Sequence, residues 1–182
     1  MNTRLRKPAL APPPIVVAQP WGEQPALQVE RYFRRVYAER MAGLPFLNPA
    51  LDVAVMDFQR VDGDWLGIVV TPWCLQLMLV PGGGTLWEDI PAGERRLVGL
   101  PAGPIEFIAD AGESDLPAFQ YCPLIAPVTA IADMAAARAA AEDAMTVLMT
   151  APAPRPMPEP ENPAQPPLAS RRLFLRGRLG SN

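Results

Sequence analysis

Between Pro25 and Met41 the apolar positions Val29, Phe33, Val36, Tyr37 and Met41 recur at helical spacing, and Glu30, Arg31, Arg34, Arg35 and Glu39 fill the opposite face. The spacing predicts an amphipathic helix, opened by Pro25 in its first turn and ending at Gly43, with its aromatics packed in the core. From Leu51 the period changes to two. Leu51 to Gln59 and Trp65 to Thr71 read as strands joined by Val61-Asp62-Gly63-Asp64, whose Asp-Gly pair is the signature of a tight hairpin turn. Leu75 to Val80 is a nearly all-apolar third strand closed by Gly82-Gly83-Gly84, and Arg95–Leu100, Ile105–Ala109 and Ala118–Cys122 are shorter strands punctuated by Pro101, Pro104 and Pro117. A last helix is predicted over about Ile131–Met149, with Met134, Ala141, Met145 and Leu148 on one stripe. The fold class expected is α+β: a mainly antiparallel sheet packed with N-terminal and C-terminal helices and flanked by proline-rich tails.

Proline sets the domain limits. Of 182 residues 24 are proline; eight fall within residues 151–169 and five between Pro8 and Pro20. Proline fixes φ and lacks an N–H, so such runs build neither helices nor central strands. The organisation expected is a basic, proline-containing tail over residues 1–20, a folded domain over 21–150, a proline-rich linker over 151–169 and a basic tail over 170–182.

Charge is segregated along the chain. Arg4, Arg6 and Lys7 lie near the start, and Arg171, Arg172, Arg176 and Arg178 near the end, with no acidic residue among 1–7 or 170–182. The intervening body keeps nine basic and all nineteen acidic side chains. An acidic body disfavours nucleic acid as the main partner and favours a cationic ligand, the chain's own tail being one candidate.

Histidine is absent, which removes Ser-His-Asp and Cys-His triads, imidazole zinc sites, nickel delivery through imidazole ligands and the usual neutral-pH proton shuttle. Cys74 and Cys122 are 48 apart, too far for a CxxC, and read as buried thiols of a reducing compartment, with a disulfide the lesser reading. Neither catalysis nor a cofactor or metal is expected. No run of 18 apolar residues exists, and Pro12, Pro13 and Pro14 break the stretch after the first basic residues, so no stable membrane insertion is expected and the cytoplasm is the expected location.

Two segments stand out. Gly43-Leu44-Pro45-Phe46-Leu47-Asn48-Pro49-Ala50-Leu51 is an extended connector from helix to sheet, in which Phe46 and Leu47 are either exposed or staple the helix down. Thr71-Pro72-Trp73 interrupts a strand pair, so Trp73 reads equally as an aromatic binding platform and as a core residue at a sheet corner.

The ordered set Leu44-Pro45-Phe46-Leu47-Asn48-Pro49, Asp64-Trp65-Leu66-Gly67, Thr71-Pro72-Trp73, Leu79-Val80-Pro81-Gly82, Leu100-Pro101-Ala102-Gly103, Ile105-Glu106-Phe107 and Phe119-Gln120-Tyr121-Cys122-Pro123-Leu124 resembles the HybE/HupJ/HoxT family of [NiFe]-hydrogenase assembly chaperones. The helix holding Asp133 and Ala135-Ala136-Ala137-Arg138-Ala139 continues the match, which covers about residues 23–150. Some members are fused to a rubredoxin, but this chain lacks the cysteine pairs such an iron site needs. The resemblance implies a chaperone that guards the hydrogenase small-subunit precursor, with its twin-arginine signal peptide, before export, the large subunit being a further candidate partner. The alternative is an adaptor that joins hydrogenase subunits or accessory proteins without reading the signal.

The end of the chain points the same way. Ser170-Arg171-Arg172-Leu173-Phe174-Leu175-Arg176 resembles the twin-arginine export motif, yet no apolar stretch follows it. Ser170, Arg171, Arg172, Phe174, Leu175 and Arg176 are therefore read as a mimic of the client signal, able to occupy the client site of its own domain or of a second copy. Extended at about 3.1 Å per residue, the 151–169 linker would reach roughly 60 Å, against a domain span of roughly 40 Å. For client contact the candidates are Phe46, Trp65, Trp73 and Trp87 as apolar anchors, with Asp62, Asp64, Glu88, Asp89, Glu94, Glu113 and Asp115 as partners for arginines.

Overall fold

The structure, a computed structural model, describes Ile15 and residues 17–152. Helix α1 (Ala26–Val36) runs into a π-helical turn, Tyr37–Met41. Six strands follow: β1 (Ala54–Val61), β2 (Asp64–Val70), β3 (Leu75–Val80), β4 (Arg95–Leu100), β5 (Gly103–Gly112) and β6 (Pro117–Ile125). Helix α2 (Met134–Leu148) comes last among the described residues. The strands form one sheet in the order β1-β2-β3-β6-β5-β4, antiparallel throughout. This is the expected α+β class.

The central strands read as continuous apolar runs because the helices cover opposite faces of the sheet. Leu66, Ile68, Val70, Leu75, Leu77 and Leu79 pack with Ala137, Ala141, Met145 and Leu148 of α2. Three of those helical contacts lie at i, i+4 and i+8, and the two alanines let the helix lie close to the sheet. Asp133 caps α2 by accepting from the Ala136 N–H at 2.8 Å. On the other face Val69, Met78, Val80, Leu116 and Phe119 pack with Val29, Tyr32 and Phe33 of α1.

The predicted strand limits are right for β3 and β4 and short for β5 and β6, because three prolines belong to strands rather than lying between them, Pro117 as the first residue of β6 and facing Gly112 of β5. Pro104 faces Gly99 of β4, and β5 meets β6 only from Ile108 onward. Pro123 faces Gln76 of β3, beyond the last β5 partner at Tyr121. Each proline thus sits where its strand is paired on one side only, so the missing N–H breaks no ladder.

The β1–β2 turn behaves as its Asp-Gly pair predicts, with φ of 47° at Asp62 and 91° at Gly63. The glycine triplet has a function in the fold that its composition did not suggest: it wraps this turn. A Cβ on Gly84 would collide with the Asp62 carbonyl and the Asp64 nitrogen, and one on Gly82 with the Gly63 carbonyl. The connector before β1 is pinned by Asn48, which is buried. Its side-chain amide donates to the Val128 and Ile131 carbonyls at 3.0 and 2.7 Å, and its backbone N–H donates to the Pro72 carbonyl at 2.8 Å. Within this connector Phe46 is 46% exposed.

Candidate functional site

A cleft of about 350 Å³ opens between α1 with its π turn and the sheet face of β3, β5 and β6. Its aromatic wall is Tyr32, Phe33, Phe119, Tyr121 and Trp73, and Cys74, Gln76, Asp110 and Arg40 also line it. Local rules place each of these. Phe119 and Tyr121 are two apart on β6 and project to the same face, toward α1. Tyr32 and Phe33 meet edge to face at 5.1 Å between ring centroids, and both reach Phe119, at 5.9 and 6.3 Å. The π turn widens the helix by one residue, with the Ala42 N–H donating to the Tyr37 carbonyl at 2.8 Å. At this turn the Tyr37 ring stacks on Trp73 at 6.3 Å and an interplanar angle of 15°.

Trp73 falls between its two readings, packed against the core on one side and lining the cleft on the other. Thr71 Oγ1 accepts from the N–H groups of Cys74 and Trp73 and donates to the Cys74 carbonyl, a compact turn that leaves the indole half-buried against Tyr37 and Phe33. It is neither a free-standing platform nor a fully enclosed core residue.

The rim of the cleft is charged and mostly paired. Arg35 donates to Asp115 at 2.7 and 2.9 Å, to Glu113 at 2.7 Å and to Glu39 at 3.2 Å, and Arg40 pairs with Glu113 at 2.7 Å. Hydrogen bonds from Arg35 and Arg40 hold the Glu113 carboxyl below its ordinary range, and Arg35 does the same for Asp115. Inside, burial raises the Tyr32 hydroxyl pKa, and the Asp110 and Glu113 charges raise it further against Arg40 and Arg35. Burial, then Asp110, likewise raises Tyr121.

Burial pushes the Cys74 thiol up to about 11. At pH 7.5 its thiolate fraction is then tiny, so alkylation of Cys74 by iodoacetamide should run about 100-fold or more slower than that of an unstructured cysteine peptide. Peptide-resolved mass spectrometry checks this; labelling at the rate of the free peptide would make Cys74 a candidate nucleophile. Both cysteines are free thiols, Cys74 buried and Cys122 half-buried. Among the described residues no three His, Cys, Asp or Glu side chains come together to hold a metal ion.

The other expected anchors and acids do not converge on this cleft. Asp64 is fully buried and unavailable to a partner. Its carboxylate accepts the backbone N–H groups of Gly82, Gly84, Leu86 and Trp87 at 2.7, 3.0, 2.9 and 2.8 Å. Asp62 is exposed in the turn beside it. Trp65 is also engaged: its Nε1 donates to the Trp21 carbonyl at 2.9 Å, and the Arg60 guanidinium lies 4.4 Å from its ring centroid. Trp87 packs against the core on the α2 face, and its Nε1 donates to Asp89, which also accepts the Ala18 N–H. Glu88 is exposed and lies 3.5 Å from Arg96, and Glu94 is exposed at the start of β4. Asp62, Asp64 and the glycine triplet are at one end of β2 and β3, and Trp73 is at the other, about 20 Å away along a seven-residue strand. Phe46 belongs to the Trp73 end, through the Asn48–Pro72 bond. Of the acids expected to meet arginines, Glu113 and Asp115 lie at the rim of the cleft. Ser170, Arg171, Arg172, Phe174, Leu175 and Arg176 lie outside the described residues.

Sequence reasoning missed Tyr32, Phe119, Tyr121 and Asp110 as site residues. The signal was present in part: Phe119 and Tyr121 are same-face aromatics on one strand, but only the pairing of β6 beside β3 puts them opposite α1.

The profile of the family described as "[NiFe]-hydrogenase assembly, chaperone, HybE" matches residues 24–177. The match therefore extends past the described residues through Ser170–Arg176, further than the residues 23–150 expected. The hydrogenase expression/formation protein HupT of Azotobacter chroococcum is 36% identical over 154 residues, covering 84% of this chain and 94% of that protein. HupJ of Bradyrhizobium diazoefficiens is 35% identical over 170 residues, covering 93% and 95%. The hydrogenase-2 operon protein HybE of Escherichia coli K12 is 30% identical over 159 residues, covering 87% and 93%. The solution structure of HybE from Escherichia coli superposes with a TM-score of 0.59 at 28% identity, covering 90% of this chain and 96% of that one.

Proposed function

The chain belongs to the HybE family of [NiFe]-hydrogenase assembly chaperones, and on that premise we propose that it is a non-catalytic chaperone of the cytoplasm that holds the hydrogenase small-subunit precursor, signal peptide included, before export. The large subunit is a second client in this reading. The observation that carries it is the aromatic cleft: a cavity of about 350 Å³ between α1 and the sheet, walled by aromatic side chains and lined also by the Asp110 carboxylate. An extended peptide with apolar residues beside arginines is chemically matched to such a surface. No helix among the described residues is long and apolar enough to cross a membrane.

The test is recovery of the small-subunit precursor on the immobilised full chain, with and without the signal peptide. Removal of the signal should cut recovery at least tenfold. Equal recovery of both forms would replace signal reading by the adaptor function, in which the folded subunit alone is the ligand. In the same assay, raising the salt from 50 to 500 mM should weaken capture of the intact precursor, because part of the recognition is between charges.

A further inference from the structure

The carboxylate of Asp110 is placed unlike any other near the cleft. Asp110 lies on β5 opposite Phe119 of β6 and lines the cleft with Tyr32, Tyr121 and Trp73. Its Oδ1 accepts the Gly112 N–H at 2.8 Å, which fixes its orientation. Among the described residues no arginine or lysine nitrogen lies within 4 Å of it. The neighbouring guanidiniums are already engaged: Arg35 by Asp115, Glu113 and Glu39, Arg40 by Glu113, and Arg95 by Glu106 at 2.6 Å. Three cations thus face five carboxylates around the cleft, and Asp110 is the carboxylate without an ionic partner. Its charge is felt inside the cleft, since it disfavours ionisation of both Tyr32 and Tyr121.

Resting on the reading of the cleft as the client site, we propose that Asp110 is the specificity residue that selects an arginine of the bound peptide, whose guanidinium lies on the aromatic wall and pairs with the free oxygen of this carboxylate. A negative group set among aromatic faces calls for a cation, and a planar one, because guanidinium stacks on rings while donating in its own plane. An ammonium is more strongly hydrated and gains less from the rings, so lysine is the poorer ligand. The cleft is larger than one guanidinium fills, and its remaining wall of Phe33, Val36 and Phe119 takes apolar side chains next to the arginine. The ligand class is therefore an arginine flanked by apolar residues in a peptide, rather than a free small cation.

The test titrates the full chain against fluorescein-labelled Ser-Arg-Arg-Ala-Phe-Leu-Lys and its Gln-Gln and Lys-Lys counterparts, read by anisotropy. The unaltered chain should prefer Arg-Arg over Gln-Gln by roughly tenfold or more, as expected of a charge-assisted hydrogen bond, with Lys-Lys between them. The preference should shrink as salt rises, a readout that needs no variant. Asp110→Asn, which keeps an oxygen for the Gly112 N–H, should bind all three peptides alike, at the affinity the unaltered chain has for Gln-Gln. Glu88→Gln, on an exposed carboxylate outside the cleft, should leave the preference intact. An Asp110→Asn protein that still prefers Arg-Arg overturns the assignment. So does an unaltered chain with no preference whose capture of the precursor nevertheless needs the signal peptide; the chaperone reading then stands without this subsite. Failure to capture the precursor at all would bring down both.

Discussion

Asp64→Ala is expected to destabilise the domain by about 3–5 kcal/mol, a large part of the 5–15 kcal/mol that holds a domain of this size together. The carboxylate is fully buried and is the shared acceptor of four backbone N–H groups, from Gly82, Gly84, Leu86 and Trp87. Truncation leaves those donors without this acceptor, and each unmet buried donor costs about 1–3 kcal/mol before any relaxation. Those of Gly82, Gly84 and Trp87 are part-buried and can recover some of this from solvent, whereas that of Leu86 is buried. Asp64→Asn should cost less, because one oxygen remains, but its NH₂ would face donors. Chemical denaturation read by tryptophan fluorescence measures both. A loss under 1 kcal/mol for Asp64→Ala would mean that the glycine loop closes on the turn without the carboxylate.

The same site sets a pH dependence whose sign follows from the bonds. Burial pushes the Asp64 carboxyl up, but the four backbone bonds outweigh it and hold the group below its ordinary value. A carboxyl depressed in the folded state stabilises fully above its unfolded value, about 3.9, and loses that contribution as pH falls through the folded value. The stability gap between the unaltered protein and Asp64→Asn should thus be widest above about pH 5 and narrow as pH falls below about 4.

Trp73→Ala should lower affinity for the small-subunit precursor by about 30-fold, the loss typical of an aromatic anchor, while the domain remains folded. The indole is half-buried, stacked on Tyr37 at 6.3 Å and 6.5 Å from Phe33, so the expected stability loss is about 1–2 kcal/mol, below the 3–5 kcal/mol of a fully enclosed tryptophan. Trp73→Phe should restore part of the affinity, since an aromatic face remains. Thermal melting and precursor titration on the same preparations separate the outcomes. A protein that has lost its cooperative melt would make Trp73 a prop of the sheet corner. A stable protein with undiminished affinity would move the client site away from the cleft.

The chain alone determined the secondary structure and its class, since that information is local. Alternation, apolar runs and proline or glycine punctuation located six strands, helical spacing located two helices, the Asp62-Gly63 pair specified the hairpin turn, and the ordered motifs from Leu44 to Leu124 identified the family. What local pattern does not carry is which strand lies beside which. Placing β6 between β3 and β5 sets Phe119, Tyr121 and Asp110 across from Tyr32 and Phe33, residues some 80 positions earlier in the chain. Burial also depends on neighbours remote in sequence. Asp62 and Asp64 are two residues apart with the same side chain, yet one is exposed on a turn and the other is enclosed by a loop that begins 18 residues later. Trp65, Trp73 and Trp87 have equal sequence credentials as anchors, but their partners separate them: Arg60 and Trp21 engage the first, Asp89 and the α2-side core engage the third, and of the three Trp73 is the one that lines the aromatic cleft. Periodicity determined which residues face inward; tertiary packing alone decided which inward face stays uncovered, because an opening is defined by what the rest of the chain fails to fill.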